Sequence, residues 1–256
     1  MKNKVPSDKV IQPLKLSGES SFQFLCHKGI SCFNKCCSEI RIYLTPYDIV
    51  RMKNRLGISS EAFLERYTFP QELEKTDLPV VILKMNEDEI HSCPFVSPDG
   101  CTLYTDRPAT CRYYPIGFAA MKRAPVKDQE DFYFFIREDH CRGFEEDTKW
   151  TVNSWREDQE AELYDRMNRE WMEILLRKKA LGLAQATDRS LQLFYMVSYD
   201  IDSFRRFVFD SSFLEKFKVD PEEVEKMRED DVALLQFGLR WLRERLFGND
   251  APEPEG

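Results

Sequence analysis

The chain has 256 residues, 42% of them hydrophobic, and a formal charge of -8. That length buries an apolar core without crosslinks, while the acidic balance, with a pI of about 5.2, argues against nucleic acid and anionic membrane as partners, since both present negative charge. No apolar run reaches the length of a signal peptide or a bilayer span, so a cytoplasmic chain is expected.

In chain order, Met1 to Ser21 is polar and mixed in charge and is expected to be a flexible N-terminus over 1–21. Thr45-Pro46 predicts a cap and a first-turn proline for a helix Tyr47 to Leu56, stopped by Gly57. Ser59 or Ser60 caps a second short helix, Glu61 to Tyr67. Val80 to Met85 reads as a strand ending at the turn-prone Asn86-Glu87-Asp88, and Asp131 to Arg137 reads as another. The cysteine segments between carry Pro and Gly and are expected to be loops. Further on, Leu163, Met167, Trp171, Ile174 and Leu175 recur at helical spacing before Gly182. Asp202 is expected to cap a helix holding Phe204, Phe207 and Val208. Asp220-Pro221-Glu222-Glu223 starts a long apolar helix running through Val224, Met227, Val232 and Leu242 to Gly248. The predicted class is α+β. A cysteine-rich metal-binding domain with loops, short helices and a few strands, 22–149, precedes an α-helical extension, 150–248, and a disordered tail, 249–256.

All eight cysteines, Cys26, Cys32, Cys36, Cys37, Cys93, Cys101, Cys111 and Cys141, lie in the first of these parts. In a reducing compartment such a set reads as metal ligands or reactive thiols rather than disulfides. Thiolates bind zinc and iron because sulfur is soft and polarisable. Cys26-x5-Cys32-x3-Cys36-Cys37 and Cys93-x7-Cys101-x9-Cys111 lack the paired knuckles of structural zinc sites, so an iron–sulfur cluster or iron site is favoured, with zinc as the alternative. Neighbouring Cys36 and Cys37 are expected to point apart and to serve different sites or different metal atoms. The radical-SAM pattern Cys-x3-Cys-x2-Cys is absent, as are a Walker loop, Gly-x-Gly-x-x-Gly and Gly-x-Ser-x-Gly. Arg107 and Arg112, flanking Pro108 and Cys111, are candidates to offset thiolate charge and hold the cofactor. His27, His91 and His140 each lie beside a cysteine and are candidate ligands or tuning groups.

These residues resemble the YkgJ-like cysteine-cluster proteins, also called the CxxCxxCC family, zinc- or iron-chelating domains. The likeness rests on Phe24-Leu25-Cys26 to Cys36-Cys37, Cys93-Pro94-Phe95, Gly100-Cys101-Thr102-Leu103-Tyr104, Arg107-Pro108-Ala109-Thr110-Cys111-Arg112 with Tyr114-Pro115, and Cys141-Arg142-Gly143-Phe144, and it covers residues 22 to 145. The family name implies spacings of two, two and zero where this chain has five, three and zero. The resemblance implies metal binding, with iron–sulfur chemistry among the expected roles. Electron transfer, redox sensing and iron handling are the expected uses. A structural zinc module whose helical extension binds a protein partner is one rival. A metal-dependent enzyme of methyltransferase type is the other, because flagellin lysine methylases carry a similar cluster.

Overall fold

The computed structural model describes residues 11–73, 76–122, 129–181 and 187–248. In chain order it runs β1 (Ile11–Leu16), β2 (Ser21–Gln23), a 3-10 turn at Lys35–Cys37, β3 (Tyr43–Leu44), α1 (Pro46–Leu56), α2 (Ser60–Tyr67), β4 (Thr68–Glu72) and β5 (Pro79–Leu83). There follow β6 (Val96–Ser97), β7 (Gly100–Cys101), α3 (Ala109–Tyr113), β8 (Ile116–Lys122), β9 (Gln129–Ile136), β10 (Lys149–Thr151) and α4 (Val152–Asp158). The last six helices are α5 (Ala161–Leu181), α6 (Asp188–Tyr199), α7 (Ile201–Phe209), α8 (Phe213–Lys216), α9 (Pro221–Glu229) and α10 (Asp231–Phe247). The class is α+β with a helical C-terminal region.

Two compact units divide the chain. The first takes the residues up to Ile42 together with Lys84–Tyr164, the second Tyr43–Leu83 together with Asp165 onward. In the first, β9 is the middle strand of an antiparallel sheet ordered β1-β9-β8, and β2 pairs with β10 through Phe22 opposite Trp150. Leu16, Phe22, Phe24, Ile116, Phe135, Val152 and Trp155 form its core. The rings meet edge to face, Phe24 and Trp155 at 5.5 Å and Phe24 and Phe144 at 5.2 Å, the arrangement ring quadrupoles favour.

In the second unit, β5 lies between β3 and β4 in an antiparallel sheet. Val80 to Leu83 are all buried, which is why this strand reads as an unbroken apolar run. The predicted helix starts hold at α1, α2 and α9. Thr45 and Asp48 exchange bonds in a capping box, and Gly57 ends α1 at φ 64. Ser59 caps α2, and Asp220 accepts from the amides of Glu222 and Glu223.

Two expectations are corrected. Asp200, not Asp202, caps α7 by accepting from the Ser203 amide at 3.3 Å. Asp202 instead accepts from the Ser60 amide at 2.6 Å, so it serves the first turn of α2. The single long C-terminal helix is in fact α9 and α10. Asp230 leaves helical geometry at ψ 110 and its carboxylate accepts from Val232 and Ala233, restarting the ladder. Gly182 and the tail 249–256 fall outside the described residues.

A buried charge cluster ties α1 to the C-terminal helices. Lys53 Nζ lies 2.8 Å from Asp231 and 3.5 Å from Asp202, and Arg205 reaches Asp231 at 2.6 Å. Burial alone acts to raise the Asp231 pKa. The hydrogen bonds and charges of Lys53 and Arg205 outweigh it and hold the carboxyl below its ordinary value. The stability this contributes is complete above the ordinary aspartate pKa of about 3.9 and is lost as pH falls through the lower value of the folded state. Asp231→Asn is therefore expected to destabilise the chain at pH 7 and much less at pH 3, in urea denaturation. An equal loss at both pH values rules the ion cluster out as the cause.

Candidate metal centre

The cysteine segments are held near one another by backbone bonds from distant parts of the first unit. Beyond β2 the chain continues the pairing with the Gly143 to Thr148 stretch. Phe24 donates to the Thr148 carbonyl at 2.9 Å and Leu25 to that of Gly143 at 3.0 Å. This lays Cys26 beside Cys141. Only glycine fits at 143, because a Cβ there meets the Phe24 ring at 2.5 Å. The Arg142 amide donates to Cys32 Sγ at 3.1 Å, so Cys32 lies against the segment that leads into the 3-10 turn Gly143–Glu145. A tight turn then carries the chain to Cys36 and Cys37, with Lys35 donating to the Cys32 carbonyl at 2.9 Å and Asn34 at φ 68. Asn34 is pinned by its side-chain amide, which donates to the Ser97 carbonyl at 2.8 Å.

The second half of the arrangement grows from Cys37. Its carbonyl accepts from the Cys93 amide at 2.7 Å, and Ser38 bridges Ser92. Val96 then donates back to Cys93 at 3.1 Å and pairs with Cys101 across the β6–β7 hairpin. Cys111 is presented by α3, so of the cysteines expected in loops Cys36 and Cys37 lie in a 3-10 turn, Cys101 in β7 and Cys111 in a helix.

No disulfide joins any of the eight cysteines. Burial comes first in pushing the Cys26 thiol up to about 11, followed by the charges of Cys36, Cys32 and Cys141. Burial also raises Cys141, with Cys32 and Cys36 acting the same way and a hydrogen bond from Tyr114 opposing them. Cys36 is raised by its hydrogen bond with Cys37, then by burial. Both neighbours lie in the 3-10 turn of Lys35–Cys37. Burial raises Cys93 and Cys101 as well.

Three residues beside Cys141 complete this corner. The Tyr114 hydroxyl donates to Glu138 Oε2 at 3.0 Å. The same carboxylate oxygen lies 3.5 Å from His140 Nε2, a buried atom that makes no hydrogen bond. Sequence reasoning passes over Tyr114 and Glu138. The signals were the Tyr114-Pro115 motif and the three-residue step from Glu138 to Cys141. The other two histidines are engaged elsewhere: His27 Nδ1 accepts from the Gly29 amide at 3.0 Å, and His91 Nδ1 lies 3.4 Å from the Asn86 carbonyl.

Arg107 and Arg112 are built into the protein. The Arg107 guanidinium stacks 3.9 Å from the Tyr104 ring, bonds the Tyr104 carbonyl and Gln159, and lies within the fields of Cys101 and Cys111. Arg112 is 2% exposed. Its five N–H donors meet the carbonyls of Arg107, Thr105 and Gln159, the Glu160 carboxylate and the Tyr164 hydroxyl.

Among the described residues no three His, Cys, Asp or Glu side chains are already drawn together closely enough to hold an ion. The donors nonetheless suit a metal in kind. Soft thiols from separate loops lie close by, Cys32 Sγ accepting from the amide beside Cys141, and the buried His140 Nε2 makes no hydrogen bond. Several buried thiolates repel one another, which favours the protonated forms. A cation reverses that preference and releases their protons. No helix among the described residues is long and apolar enough to cross a membrane.

The CxxCxxCC family model, described as "Putative zinc- or iron-chelating domain", matches residues 25–154. No curated protein and no solved structure matches the chain.

Proposed function

We propose, starting from the premise that the chain belongs to the CxxCxxCC family, that it binds iron through cysteine thiolates, as an iron–sulfur cluster or an iron site, for electron transfer, redox sensing or iron handling. The observation that carries this reading is the 3.1 Å bond from the Arg142 amide to Cys32 Sγ, which brings the Cys141 segment against the Cys32 segment although more than a hundred residues separate them. Iron is favoured over zinc because structural zinc sites use closely spaced knuckles, and Cys26-x5-Cys32 is not one.

Zinc has one observation in its favour. The loops are knit by short backbone ties such as Cys93 to Cys37, so a redox-inert ion could serve the scaffold alone, with the helical half free to bind a protein partner. Metal and acid-labile sulfide content of chain produced without oxygen separates the two. Iron with visible sulfur-to-iron absorption is expected. Colourless protein with stoichiometric zinc overturns the iron reading in favour of the structural one.

A further inference from the structure

We propose that the main-chain amide of Arg142 is a positioning and tuning group for the metal ligand Cys32: its N–H holds the Cys32 sulfur when metal is bound, fixes its direction and withdraws charge from it. This inference rests on the thiolate–metal reading above and adds to it a group that acts on the metal through a ligand.

The amide donates to Cys32 Sγ at 3.1 Å across 110 residues of chain. Cys32 is 7% exposed, so little water competes for that sulfur. A neutral thiol is a weak acceptor, whereas hydrogen bonds to ionised groups are the strong ones. The bond therefore contributes least with Cys32 as a thiol and most once the sulfur carries charge. A main-chain donor aimed at this sulfur favours the charged, metal-ligating form.

The donor is set in place by its own neighbours. Cys141 donates to the Glu138 carbonyl at 2.9 Å, and the Arg142 carbonyl accepts from Glu145 at 2.9 Å. The Gly143 carbonyl accepts from Leu25 at 3.0 Å, and the Phe24 ring leaves no room for a Cβ at 143. Bonds on both sides of the Cys141–Arg142 peptide thus fix where its N–H points. The acceptor is held as well, since the Cys32 carbonyl takes the Lys35 amide at 2.9 Å. The Arg142 side chain takes no part in the bond. Its guanidinium is half exposed and pairs with Glu145 at 2.8 Å. A hydrogen bond to a metal-bound sulfur lowers the donor strength of that sulfur, which stabilises the reduced state of an iron centre and moves sulfur-to-metal charge transfer to higher energy.

NMR of the reduced full chain loaded with an NMR-active cadmium isotope, a soft ion suited to thiolates, tests the contact. Scalar coupling from cadmium to the Cys32 Hβ protons is expected and marks Cys32 as a ligand. A second coupling, from cadmium to the Arg142 amide proton, is expected through the N–H···Sγ bond. It should persist in Arg142→Ala, which keeps the amide. Coupling to Cys32 Hβ without coupling to the Arg142 amide overturns the inference and leaves thiolate binding intact, as does coupling confined to the Hβ protons of other cysteines. Coupling to no cysteine overturns the thiolate–metal reading as well. The tuning has its own readout in the cobalt-loaded chain. Arg142→Pro, which removes this one N–H, should move the thiolate-to-cobalt absorption to longer wavelength, and Arg142→Ala should leave it in place. A band unmoved in Arg142→Pro, or moved equally in both variants, rules out charge withdrawal by the amide. If Arg142→Pro does not load, an ester in place of the amide at position 142 makes the same comparison without the proline ring.

Discussion

Arg112→Ala is expected to lower the stability of the first unit by about 3–5 kcal/mol, the cost typical of breaking a buried charged network. The side chain is 2% exposed, and all five of its donors are matched. Truncation leaves the carbonyls of Arg107, Thr105 and Gln159 facing a void, and each orphaned buried acceptor costs about 1–3 kcal/mol. The cation also lies 4.2 Å from the Tyr164 ring, a contact that vanishes with it. Its partner Glu160 is 63% exposed, so Glu160→Gln should cost under about 1 kcal/mol, as surface ion pairs do. Arg112→Lys should recover little, because an ammonium lacks the planar fork that reaches acceptors on both sides. Chemical denaturation of the three variants checks the order. A loss for Arg112→Ala no larger than for Glu160→Gln contradicts the network's importance. The same network ties α3, and with it Cys111, to Gln159 and Tyr164, so metal uptake by Arg112→Ala should weaken together with stability.

Arg112 also illustrates what the sequence conveys and what it hides. Its place in a tight Arg-Pro-x-x-Cys-Arg segment marks it as important, yet the residue type cannot say whether the guanidinium faces a cofactor or five acceptors of its own chain. Local chemistry was legible wherever it is local in fact. Thr45-Pro46 with Asp48 makes a capping box, Ser59 caps α2, and Asp220-Pro221 starts α9, because each cap bonds amides within three residues. Asp202 was misjudged because a tertiary partner decides it: the Ser60 amide claims its carboxylate. The strand β1 gave no signal. Its partner β9 lies more than a hundred residues on, and nothing in a polar segment announces such a pairing. For α6, the run Leu191 to Val197 is apolar without a clear period, so strand and helix read alike.

The candidate site divides along the same line. The identity of eight thiols is plain, and the absence of cysteine between Cys37 and Cys93 foreshadows the excursion of residues 43–83 into the second unit. Which thiols meet is not plain. That depends on β2 pairing with β10, which carries Cys26 to Cys141. Tyr114 and Glu138 join the site through the same tertiary approach.

Stripping zinc from the reduced, zinc-loaded chain with a chelator is expected to speed amide exchange about a thousand-fold in residues 24–42 and 86–111, corresponding to the roughly 4 kcal/mol that a ligand at a thousand times its Kd contributes. The regular elements in these stretches are two 3-10 turns, two-residue strands and the short α3, and two-stranded hairpins are at best marginally stable by themselves. No disulfide fastens them. Binding free energy from thiolates on separate loops therefore becomes ordering free energy for those loops. The core around Phe22, Phe24, Phe135 and Trp155 is apolar and sheet-supported, so it should keep most of its protection. Helices α6, α7 and α10 belong to a unit without a single cysteine, and their exchange should not change at all. Uniform acceleration across both units would mean that the metal stabilises the whole chain cooperatively. No acceleration in residues 24–42 and 86–111 would mean that the loops are ordered by their backbone ties alone, and the thiols could then be lost without loss of fold.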